Sequence, residues 1–224
     1  MAAIMPRVKV GLLHSTIFAV QPMIDEFRRL FPEAELVHFL DEGFLLMLAR
    51  YGGASKQVGT KALKVAKAAE EAGVQAIQCS CSSLSPAIAS VRPFMLIPIN
   101  DIDSAMAEAA MANARSVALL ATGVGVHKSM MSTFQKVAAR FGKQPELKPV
   151  LADTGRIRRG EPGFFEALAE QVYAASRQAD VVAVGQVSMA GCMAFVKEDI
   201  KDRVFTGPPH AVSAIKSMIG SVQS

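Results

Sequence analysis

Apolar runs and polar breaks succeed one another along this chain in a repeating order. Residues 8–14 read as a buried strand, and after Ser15 and Thr16 the spacing of apolar positions over residues 20–31 predicts a helix. The same order returns at residues 73–77, which run on to Cys81, Ser82 and Ser83. It returns at residues 116–121 before Thr122 and Gly123, and at residues 180–184 before Gly185, Gln186, Val187 and Ser188. Residues 56–72 and 104–114 carry charged and apolar positions at helical spacing and read as scaffold.

Strands that alternate with helices of this length make an α/β fold, a mainly parallel sheet flanked by helices, with ligands bound at the C-terminal ends of the strands. Two junctions precede Ile97 and two follow Arg115, so the expectation is two similar α/β lobes with a cleft between them. The first lobe is taken as residues 1–97 plus 205–224 and the second as 98–204, with the crossing in residues 96–101.

With 224 residues, 51% of them hydrophobic, the chain is long enough for two cores. The first residues lack a signal-peptide pattern and no apolar run approaches a membrane span, so a cytoplasmic protein with no membrane partner is expected. Three cysteines without an export signal argue for reduced thiols. The formal charge of +4 suits a small anionic substrate. Aromatic residues are only 6%, with no Trp, and no basic stripe is interleaved with them, so nucleic acid is not an expected partner.

The candidate chemistry sits at the four strand ends. Cys81 precedes two serines in a polar turn, and a helix starting near Ser83 would turn free amide N–H groups toward the thiol, lowering its pKa and offering donors to a carboxylate or enolate. Cys79 reads as sheet core. A metal set of Cys79, Cys81 and Cys192 lacks the usual ligand spacing and a nearby histidine, so no metal is expected. His14 reads equally as a substrate contact or as a core histidine. Thr122, Gly123 and Gly125 suit close approach of a small anion better than a dinucleotide. Gln186 and Ser188 offer an amide and a hydroxyl, neither a strong base. Arg156, Arg158 and Arg159 read as cleft rim or as plain surface.

These four junctions together, over nearly the whole chain, resemble the cofactor-independent aspartate/glutamate/hydantoin racemase superfamily, which also contains arylmalonate decarboxylase and maleate cis-trans isomerase. The resemblance implies two pseudo-symmetric lobes, an active site in the inter-lobe cleft, no cofactor, and an oligomer, dimer or larger. It also implies one cysteine from each lobe on opposite faces of the substrate α-carbon. Cys81 matches the first-lobe cysteine, whereas Gln186 stands in the second-lobe motif, leaving only Cys192 as a conceivable substitute. The expected function is an isomerase acting at the α-carbon of a small carboxylic or amino acid, with Cys81 as acid-base and Gln186 and Ser188 in place of the second catalytic motif. His14, Ser15, Thr16, Ser82, Ser83, Thr122 and Gly123 are expected to bind substrate. The alternatives are a malonate-type decarboxylase, a cis-trans isomerase with a covalent cysteine adduct, and a non-catalytic small-acid binding protein. The substrate's identity is not legible from sequence.

Overall fold

In the computed structural model, which describes residues 8–153, 155 and 157–223, the first apolar run becomes β1 (Lys9–His14), buried from Val10 onward. It leads through a short 3-10 turn into α1 (Val20–Leu30), whose buried Met23 and Phe27 lie four residues apart on one face. The chain continues as β2 (Glu35–Leu40), α2 (Gly43–Tyr51), α3 (Lys56–Glu71), β3 (Ala76–Cys79), α4 (Ser85–Val91) and β4 (Ile99–Asn100). These four strands form one all-parallel sheet in the order β2-β1-β3-β4. Ser55 caps α3 by accepting a hydrogen bond from the Val58 amide.

The second half repeats this plan: α5 (Ser104–Ala110), β5 (Ser116–Ala121), α6 (Val124–Arg140), β6 (Glu146–Leu151), α7 (Phe164–Ser176), β7 (Val181–Val184), α8 (Glu198–Lys201), β8 (Val204–Thr206) and α9 (Gly207–Gln223). Its sheet has the equivalent order, β6-β5-β7-β8, again all parallel. Central strands β1, β3, β5 and β7 are covered on both faces and so read as apolar runs. In sequence β2 and β6 show no such run, because they are sheet edges with alternating half-exposed positions. Pro149 in β6 suits an edge, where a missing N–H costs little.

Strand pairing places the crossings slightly beyond the expected boundaries. Ile99 and Asn100 pair with β3 and belong to the first sheet, while Val204 to Thr206 pair with β7 and belong to the second. The return to the first lobe is made by α9, whose Ala211, Val212 and Ile215 pack in one core with Val10, Leu12 and Phe27. The helix expected over residues 104–114 stops at Ala110.

Gly185, just before the fourth junction, has no room for a side chain: a Cβ there would lie 2.2 Å from Met130 Sδ and 3.4 Å from the Leu120 carbonyl oxygen. Met130 is fully buried, so it has little space to withdraw. Gly185→Ala is expected to cost about 1–3 kcal/mol of stability, measurable by urea denaturation.

Candidate active site

The register of the two sheets places the functional junctions in equivalent positions. Leu13 of β1 lies opposite Cys79 of β3, and Leu120 of β5 lies opposite Val184 of β7. Two residues beyond these four stand Ser15, Cys81, Thr122 and Gln186. In the first lobe the Ser15 hydroxyl hydrogen-bonds the Cys81 thiol. In the second, Gln186 Oε1 accepts from both the Thr122 amide, at 2.9 Å, and the Thr122 hydroxyl, at 2.8 Å. A thiol and a carboxamide thus hold corresponding places, each tethered to a hydroxyl residue from the neighbouring strand.

Both line a small cavity of about 100 Å³ between the lobes, together with Ser15, Thr16, Ser80, Ser82, Ser83, Arg159 and Ser188. Ala19, Leu45, Val126 and Val187 supply its apolar wall. Gln186 is the one non-glycine among the described residues with positive φ, at 69°. Such a backbone costs about 1–3 kcal/mol and persists where the surroundings dictate it; here the two bonds from Thr122 hold it.

The expected depression of the Cys81 pKa is not found. Burial raises it above the ordinary thiol value, outweighing the Ser15 hydroxyl and the Leu84 and Ser83 amides that favour the thiolate. The reason is local: Ser82–Leu84 is a single 3-10 turn and α4 begins only at Ser85, so no long helix points its N-terminus at the sulfur. Cys81 therefore rests as a thiol at neutral pH.

Arg159 is the cation of the site. Its guanidinium carbon lies 5.7 Å from the Phe18 ring centroid, and its Nε is the one buried side-chain nitrogen or oxygen among the described residues without a hydrogen-bond partner. Burial lowers its pKa, the mark of a charge that lacks a compensating anion. Arg158 is exposed, and Arg156 lies outside the described residues.

Other expected residues lie away from the cavity wall. His14 is fully buried behind it, with Nδ1 2.8 Å from Ser80 Oγ and Nε2 3.1 Å from His38 Nδ1. Both ring nitrogens are thus engaged within the protein. Thr122 acts through Gln186 rather than on the wall, and Gly123 borders a separate shallow hollow with Gly125 and Lys128. Cys192 is fully buried in the second-lobe core with Leu168 and Val172, its thiol pushed up to about 12 by burial. It neither reaches the cavity nor joins Cys79 and Cys81; among the described residues no three His, Cys, Asp or Glu groups converge as a metal site. No helix among the described residues is long and apolar enough to cross a membrane.

Sequence reading missed Asp103. Its buried carboxylate accepts from the Ser82 hydroxyl on one oxygen and the Ser85 hydroxyl on the other, both at 2.9 Å. Burial, then the nearby Asp101, raises its pKa to about 7. The available signal was its place three residues after the β4 strand, which was read only as a crossing.

His14 and Asp103 make opposite contributions to stability across the acid range. Burial pushes His14 down to about 4 from 6.5, so its contribution is whole above 6.5 and is lost as pH falls toward 4. The Asp103 pKa is raised from 3.8, so its contribution is whole below 3.8 and is lost as pH rises toward 7. Asp103→Asn removes only the second effect. Its melting temperature is therefore expected to rise more steeply than that of the unmodified protein between pH 4.5 and 6.5 in thermal unfolding.

Comparison with known proteins agrees with this two-lobe plan. The structure is similar to a glutamate racemase isoform from Bacillus anthracis, with a TM-score of 0.72 and 14% identity over 95% of this chain and 82% of that one. It is similar to allantoin racemase from Klebsiella pneumoniae, with a TM-score of 0.72 and 14% identity over 96% and 89% of the two chains. An arylmalonate decarboxylase aligns with a TM-score of 0.64 and 15% identity over 95% and 92%. At these identities the likeness concerns the fold. A comparison with curated protein sequences gives no significant match. The Asp/Glu/hydantoin racemase family matches residues 11–215, nearly the whole chain, and the protein belongs to that family of isomerases.

Proposed function

We propose that the protein is a cofactor-independent isomerase acting at the α-carbon of a small carboxylic or amino acid, with Cys81 as its only thiol acid-base. The observation that carries this reading is the pairing of one thiol with one carboxamide at equivalent strand ends around a cavity that Arg159 also lines. Arg159 receives the substrate carboxylate; the resting Cys81 thiol gives its proton to solvent, the thiolate takes the α-proton, and the charge left behind spreads onto the carboxylate as an enediolate. Hydroxyls of Ser82, Ser83 and Ser188 line the same space. Gln186 cannot carry a proton at neutral pH, and its carbonyl oxygen is already taken by Thr122. Proton transfer then belongs to the face that Cys81 covers, so the isomerisation is one that uses a single face throughout, the proton leaving and returning on that side, rather than an inversion between two bases. A cavity of about 100 Å³ suits a small acid.

A second reading, decarboxylation of a malonate-type acid, is favoured by the resting state of Cys81. A thiol protonated at neutral pH is a ready donor to the carbanion left by carbon dioxide, and that reaction needs no base. Incubating the protein in deuterium oxide with small 2-substituted carboxylic, amino and malonic acids tests both. Exchange of the α-hydrogen without loss of carbon dioxide supports the isomerase. Carbon dioxide release with a single labelled α-position supports the lyase. Binding with neither leaves a small-acid binding protein.

A further inference from the structure

Resting on the proposed carboxylate site, we infer that Asp103 is a positioning residue that sets whether the Ser82 hydroxyl presents a lone pair or its proton to the cavity. A serine hydroxyl has one proton and two lone pairs. In the free protein the Ser82 proton goes to Asp103 Oδ1 at 2.9 Å, and the Gln186 amide N–H donates to one Ser82 lone pair at 3.3 Å. The lone pair left over is the only thing this hydroxyl can offer the cavity it lines. A lone pair repels a carboxylate or enediolate.

Protonation of Asp103 reverses the bond. Ser82 donates to Oδ1 and Ser85 to Oδ2, both at 2.9 Å, but only Ser82 lines the cavity; a bound anion draws away the Ser82 proton, and the added proton resides on Oδ1, facing Ser82. Asp103 then donates to Ser82, both Ser82 lone pairs are filled, and the Ser82 proton is released toward the bound anion. One proton is taken up from solvent for each carboxylate bound. The surroundings favour this uptake: Asp103 is buried, and its own amide donates at 3.0 Å to the Asp101 carboxylate, which in turn pairs with Arg92 at 3.2 Å. The Asp103 charge in turn helps to raise the Cys79 and Cys81 thiols. Lys136 and Arg140 line one hollow with Ser85 and Asp101.

The second lobe carries no such pair at the matching positions. In the matched register Ser82 corresponds to Val187, and Asp103, three beyond Asn100, corresponds to Pro208, three beyond Phe205. The polar pair is present only in the lobe that carries the thiol.

Propionate, ionised throughout the range, serves as probe in calorimetry from pH 6 to 8.5 in two buffers of different ionisation enthalpy. With Asp103 titrating at about 7 in the free protein, the affinity is expected to fall by up to about tenfold per pH unit above that value, with proton uptake approaching one per site. His14, at about 4, and Cys81, above the ordinary thiol value, titrate outside this window. Asp103→Asn keeps a donor toward Ser82 and an acceptor toward Ser85, so it is expected to bind without pH dependence or proton uptake. Ser82→Ala is expected to lose the pH dependence and to bind more weakly at pH 6. A pH dependence and proton uptake unchanged in either variant would overturn the inference while leaving the carboxylate site in place. No propionate binding at any pH would overturn both. The expected profiles in a protein whose α-proton exchange survives Cys81→Ser would keep the inference and remove the thiol chemistry.

Discussion

Cys81→Ser is expected to slow α-proton exchange by about a thousandfold, the central range for losing a positioned acid-base group. The substitution is nearly isosteric and keeps the Ser15 contact, so folding and carboxylate binding are expected to persist. What it removes is a group whose proton can leave at accessible cost. A hydroxyl is a far weaker acid than a thiol and cannot replace it as base or donor near neutral pH. Cys192→Ser is the matching control. That thiol lies in the second-lobe core, so its replacement is expected to lower stability by placing a hydroxyl among Leu168 and Val172 while leaving the exchange rate close to the unmodified value. Parallel measurement of turnover and thermal unfolding for the two variants separates a chemical role from a packing role.

Arg159→Gln is expected to raise KM for a carboxylate substrate by about ten- to a hundredfold, because hydrogen bonds between charged groups contribute about 1.5–3 kcal/mol. The physical basis is a partly buried guanidinium lining the cavity, its charge set against no anion among the described residues. An anion that arrives there compensates a cost already incurred in folding, and so binds more strongly than at an exposed arginine. The same substitution relieves the unpaired charge, and the free variant is expected to be no less stable than the unmodified protein. A raised KM together with an undiminished melting temperature is the combination to look for in steady-state kinetics and thermal unfolding. A variant with unchanged KM would remove Arg159 from the site.

The fold was legible where burial leaves an unambiguous mark. Apolar runs ending at His14, Cys79, Ala121 and Val184 mark the four central strands because each is covered on both faces. The polar sequels of His14, Cys79 and Val184 line the cavity, and Thr122, after Ala121, reaches it through Gln186. Edge strands β2 and β6 escaped notice because half-exposed positions mix Glu, His, Lys and Pro with apolar residues. The cavity lining was legible as residue types in polar turns, Cys81 with Ser82 and Ser83, and Gln186 with Ser188, all of which line it. Their electrostatics were not. A thiol beside amide groups suggests a lowered pKa, yet burial is a property of three-dimensional packing and reverses the sign. His14 was ambiguous for a related reason: its partners, Ser80 and His38, come from neighbouring strands that only the sheet register brings together. Arg159 was visible as an arginine, but its orphaned nitrogen was not.

The central claim, one thiol on one face of the substrate, is tested most directly by the stereochemistry of exchange in deuterium oxide with a substrate bearing a single α-hydrogen. Deuterium is expected to enter one α-configuration only, at a rate that collapses in Cys81→Ser. Equal entry of label into both configurations, undiminished in that variant, would contradict it.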